Sequence, residues 1–124
     1  MISSRPAALI VEDQPFIGMV ASDILRESGF ETFHACDAQD ASRMLDDHPE
    51  IEVVVAAAQL AGGDGLEFAR RVSNERPGVQ LVLTASGEEL ISSELPEGAR
   101  VLRKPYASGE LRTLVAAKTL LQDA

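Results

Sequence analysis

Residues Ile51 to Gly65 read IEVVVAAAQLAGGDG. The stretch begins as an apolar strand, Val53 to Ala57, and ends in a glycine-rich turn closed by Asp64-Gly65. A strand with no polar alternation is buried on both faces, as in a parallel sheet with helices on either side. Beyond the turn, Leu66, Phe68, Ala69 and Val72 recur at helical spacing until Pro77-Gly78 stops the helix. This is one strand–turn–helix unit.

The same unit repeats outward in both directions. Ala7 to Val11 (AALIV) is another continuous apolar run, ending at Glu12-Asp13. Phe16, Ile17, Val20, Ile24 and Leu25 then predict an amphipathic helix from Pro15 to about Ser28. Asp13 or Gln14 stands where its cap belongs, Pro15 suits the first helical position, and Gly29 closes it. Glu31 to Ala35 (ETFHA) alternates and reads as a second strand, with Cys36 as a small apolar filler at its end. Asp37 caps a helix from Ala38 to about His48, with Met44 and Leu45 facing inward and Pro49 beyond. Val79 to Thr84 and Ala99 to Arg103 supply two more strands, and Glu88 to Ser93 a short helix between them. Ser108 is expected to cap the last helix, which runs to about Gln122 through Leu111, Leu114, Val115, Lys118 and Leu121.

Five strands alternating with helices require a parallel α/β sheet with right-handed crossovers and helices on both faces. A chain of 124 residues is expected to form one domain, with no output domain expected beyond the last helix. Apolar content of 45% with 25% charged residues is that of a globular protein. No long apolar run or charged-then-apolar leader is seen, and the single Cys36 cannot form an internal disulfide; a cytoplasmic location is expected. The net charge of −9 argues against nucleic acid and anionic membranes as partners, since both reward clustered Lys and Arg.

In such sheets ligands bind beyond the carboxyl ends of the strands, at the switch in strand order. The residues there are Glu12-Asp13, Ala57, Thr84-Ala85 and Lys104-Pro105. In that order and at those strand ends they resemble the landmarks of response-regulator receiver domains, and the resemblance covers nearly the whole chain. It implies the (βα)5 flavodoxin-like receiver fold and a non-enzymatic role in two-component or phosphorelay signalling. Glu12 and Asp13 match the family's metal-binding acid pair, Thr84 its hydroxyl residue and Lys104 its lysine. Counting back from Asp64-Gly65, the family's phospho-accepting aspartate falls on Ala57. The proline four residues past the acceptor is Ala61, and the aromatic switch three before the lysine is Val101.

An alanine side chain has no oxygen with which to attack phosphorus or hold a metal. The chain is therefore expected to be a pseudo-receiver that binds protein partners without phosphorylation: a histidine kinase, another regulator or an output protein, as monomer or homodimer. No cofactor is expected. Any Mg²⁺ held by Glu12, Asp13 and the carbonyl of residue 59 should bind weakly, and Lys104 should lie near the acid pair and partly neutralise it in place of a metal. By resemblance, the partner surface falls on the fourth helix, fifth strand and fifth helix, at Glu88, Val101, Tyr106 and Leu111. An ordinary phospho-accepting regulator with an engineered Asp-to-Ala change at 57 would show the same letter. A flavodoxin-like ligand binder would need aromatic flanks or a phosphate-cradling loop; Gly62-Gly63 fits no such pattern, and the chain has no Trp. Glu12-Asp13 could also serve simply as a helix cap, and Asp64-Gly65 as a turn. His34 and His48 have no partners at metal-ligand spacing and read as structural or surface residues.

Overall fold

Strand β1 (Ala7–Val11) is buried at every position, as its unbroken apolar run requires. The computed structural model describes residues 6–60, 63–85, 95–96, 98–105 and 107–115. Through these, β1 is followed by α1 (Pro15–Glu27), β2 (Glu31–Ala35), α2 (Ala38–Asp47) and β3 (Ile51–Ala57). A short antiparallel ladder, β4 (Gln59–Leu60) with β5 (Gly63–Asp64), leads into α3 (Gly65–Glu75). Then come β6 (Gln80–Ala85), β7 (Arg100–Arg103) and α4 (Ser108–Leu114). The main sheet has five strands in the order β2-β1-β3-β6-β7, and every pairing is parallel. The helix expected over Glu88 to Ser93 lies outside the described residues, as does the expected continuation of the last helix beyond residue 115.

Strand alternation divides the core into two layers. Leu9, Val11, Val54, Ala56, Leu81 and Leu83 pack with Ala41 and Leu45 of α2 and with Phe68, Ala69 and Val72 of α3. Ala8, Ile10, Val53, Val55, Val82 and Leu102 pack with Ala21, Ile24 and Leu25 of α1 and with Leu111 of α4. Helices thus cover both faces, and strand order reverses between β1 and β3, which opens a crevice at their carboxyl ends.

Local chemistry sets the helix ends. Asp37 Oδ1 accepts the Asp40 amide at 2.8 Å, the expected cap of α2. Gly29 adopts φ +101°, and bonds from its amide to Arg26 O and from Phe30 N–H to Leu25 O close α1 in a Schellman arrangement. At the other end of α1 the cap position is Gln14, which makes no side-chain cap bond, while Pro15 needs no amide partner. The last helix starts differently from its expectation. Ala107 holds the cap position, Ser108 is already helical, and the Glu110 carboxylate accepts the Ala107 amide at 2.9 Å.

Three placements correct the sequence reading. Leu111, expected on the partner surface, is fully buried because α4 turns it onto the sheet beside α1. Cys36 is exposed, since burial along β2 ends at Ala35 and the chain has already turned outward. Phe16 and Val20, assigned to the inward stripe of α1, are 74% and 43% exposed. The buried face of α1 is instead Gly18, Ala21, Ser22, Ile24 and Leu25, whose small members let the helix lie close to the sheet. At Gly18 a methyl group would collide with the His34 ring.

Candidate functional site

Each of the strand-end residues is fixed by the ladder beside it. Glu12 extends β1 by one further bond, its amide donating to Ala35 O at 3.0 Å. Its carbonyl oxygen lies 2.9 Å from His34 Nε2, which acts as donor to it. His34 therefore ties β2 to the β1–α1 turn, a structural role in keeping with its reading as a structural or surface residue. Ala57 closes β3 in register with Thr84 of β6, and Thr84 is in register with Leu102 of β7. The Ala58 amide donates to Thr84 O at 2.8 Å, and the Lys104 amide to Ala85 O at 2.7 Å. The Lys104-Pro105 peptide is cis.

These ladders bring Glu12, Ala57, Thr84 and Lys104 to one end of the sheet. Glu12, Ala57 and Thr84 are all buried. Asp13 is half-buried. Lys104 Nζ donates to Glu12 Oε1 at 2.8 Å, with side chains only 15% and 5% exposed. Glu12 Oε2 accepts the Gln14 amide at 3.2 Å. A charge-assisted bond this short and this dry is among the stronger polar contacts a protein makes.

The reach of that bond is informative. β1 and β7 are separated by β3 and β6, so their axes are about 14 Å apart at the usual strand spacing. For Lys104 and Glu12 to touch, the two side chains must cross the carboxyl ends of β3 and β6, which finish at Ala57 and Thr84-Ala85. The ion pair is a bridge over the crevice. The residue ending the central strand beneath it carries a methyl group.

Gly65 explains why the turn after β3 can fold back here. A Cβ at that position would collide with the Ala57 carbonyl oxygen, so the start of α3 is drawn against the end of β3 only because residue 65 has none. Of the other expected site residues, Val101 is 37% exposed on β7, at one edge of the sheet. Glu88, Tyr106 and Ala61 lie outside the described residues.

The arrangement offers two opposite charges already joined, a buried threonine and no nucleophile at residue 57. Among the described residues no group of three or more His, Cys, Asp or Glu is placed to hold a metal ion. His48 is far from metal chemistry: its ring stacks on Phe33 at 4.1 Å and Nδ1 meets Glu50 Oε2 at 3.1 Å. A backbone hydrogen bond, assisted by His48, holds the Glu50 carboxyl below the usual range. No described helix is long and apolar enough to cross a membrane.

Comparison with known proteins agrees with this geometry. The sequence pattern described as the response regulator receiver domain matches residues 8–116. The transcriptional regulatory protein PdtaR of Mycobacterium tuberculosis (strain ATCC 25618 / H37Rv) is 31% identical over 106 residues, covering 83% of this chain and 51% of that protein. A protein-glutamate methylesterase/protein-glutamine glutaminase of Natronomonas pharaonis is 34% identical over 116 residues, 90% of this chain and 32% of that one. The chain thus spans about half the length of the first relative and about a third of the second. The signal receiver domain of an HD domain-containing protein from Pseudomonas fluorescens Pf-5 superposes with a TM-score of 0.82 at 27% identity, over 97% of this chain and 98% of that one. Sheet order, strand-end residues and sequence agree, and the chain belongs to the response regulator receiver domain family.

Proposed function

We propose that this receiver domain binds a protein partner of a two-component pathway without being phosphorylated at the end of β3. The observation that carries the reading is Ala57, the last residue of the central strand, where the family resemblance puts the accepting carboxylate. Acyl phosphate needs a carboxylate oxygen as nucleophile, and a methyl group has none to offer. The lysine that would otherwise steady a transferring phosphoryl group is engaged with Glu12 instead.

The binding half of the reading is supported by the surface. Phe16, Met19 and Val20 project from α1 at 74%, 54% and 43% exposure, and large apolar side chains grouped on one helix face favour protein contact. With a net charge of −9, a partner with a basic rim around an apolar ridge fits this chain better than nucleic acid does. The test is capture of partners from native extract by the unaltered chain and by Phe16→Ser, each with and without a small phosphodonor. The expected result is capture by the unaltered chain that ignores the phosphodonor and is lost in the variant. Capture that appears only after phosphodonor treatment would overturn the proposal.

A further inference from the structure

Receiver domains characteristically take Mg²⁺ between their acidic strand ends, and the residues of this pocket do not fit that ion. Mg²⁺ demands several oxygen ligands in near-octahedral array and gives up its water reluctantly. Here both oxygens of Glu12 are already committed, one to Lys104 Nζ at 2.8 Å and the other to the Gln14 amide at 3.2 Å. Residue 57 supplies no side-chain oxygen.

We infer that Lys104 is the resident cation of this pocket and that its bridge to Glu12 excludes divalent metal. The inference rests on the proposed reading of the pocket and adds what balances its charge. An entering Mg²⁺ would have to displace an ammonium group that is 15% exposed and leave it without its carboxylate partner. That exchange gives up a short buried ion pair for an ion that finds fewer charged ligands than a three-carboxylate site would give it. The pair also spans the crevice from β1 to β7, so the chain's own ammonium balances the Glu12 carboxylate there. Lys104 is a positioning residue in this scheme, acting through Glu12.

Thermal melting of the whole chain in MgCl₂ against NaCl of matched ionic strength tests the inference, with Lys104→Met as the second sample. The melting temperature of the unaltered chain is expected to be the same in both salts. Lys104→Met, whose Glu12 is left without a counter-charge, is expected to melt lower in NaCl and to recover by a few degrees in MgCl₂. Adding Glu12→Gln to it should abolish that recovery. If Lys104→Met is unfolded in NaCl, refolding on addition of MgCl₂ is the same positive result. An Mg²⁺-specific rise in the unaltered chain overturns the inference, and so does a Lys104→Met variant that ignores MgCl₂. Mg²⁺ binding by unaltered chain that still yields no phosphoprotein would defeat this inference alone; phosphoprotein would defeat the proposed function.

Discussion

Lys104 and Glu12 decide the character of the pocket, and their energetics are measurable. Removing one member of a buried ion pair strands the other, at a cost of about 3–5 kcal/mol. Lys104→Met and Glu12→Gln are each expected to lose that much in urea denaturation, while the double variant should recover most of it, since neither charge is then left alone. Additive losses would show that the pair is not coupled. Gly65→Ala drives a methyl group into the Ala57 carbonyl and is expected to destabilise by about 1–3 kcal/mol, read from the denaturation midpoint. The letters at 12, 57, 84 and 104 were legible because each stands at or just past the carboxyl end of a strand. Their meeting was half legible: Lys104 was expected near the acid pair, but spacing alone could not single out Glu12 Oε1 or show that the contact crosses two strand ends.

Elements followed the apolar pattern where the pattern was unambiguous. The five main strands stand where their runs predict, although β3 starts two residues before Val53, at Ile51. That early start contains a register shift: Ala7 pairs with Ile51 and Ala8 with Val53, leaving Glu52 as the extra residue. Glu52 Oε1 is buried without a hydrogen-bond partner among the described residues. Replacing it with threonine, which suits a strand and carries no charge, is expected to stabilise the fold by about 1 kcal/mol in thermal or urea unfolding. Equal or lower stability would show that Glu52 is satisfied in solution. The Asp37 cap bond to the Asp40 amide predicts a loss of about 1 kcal/mol in Asp37→Ala. Helix α1 was the element least legible from its sequence, because large apolar residues occupy both sides. Burial went to Gly18, Ala21 and Ser22, which allow close approach to β2, and left Phe16 and Met19 outside. Cys36 failed because the chain turns outward as β2 ends, which residue type does not encode. Leu111 sits mid-helix on the apolar stripe of α4 and is buried as that stripe requires; only the family resemblance had put it on a partner surface.

For the whole molecule, parallel strands in the order β2-β1-β3-β6-β7 place the strand reversal directly under the Lys104–Glu12 bridge. The topology was readable in advance because continuous apolar strands alternating with helices leave few other sheets to build. What the fold positions there is the Lys104–Glu12 pair, the buried Thr84 and, at the end of β3, the methyl group of Ala57. The most direct measurement is intact-protein mass spectrometry after incubation with excess small phosphodonor and MgCl₂, with Ala57→Asp treated in parallel. The unaltered chain is expected to keep its mass, while a gain of one phosphoryl group in Ala57→Asp alone would locate the missing chemistry at residue 57. A stable gain of one phosphoryl group in the unaltered chain would contradict the silent pocket.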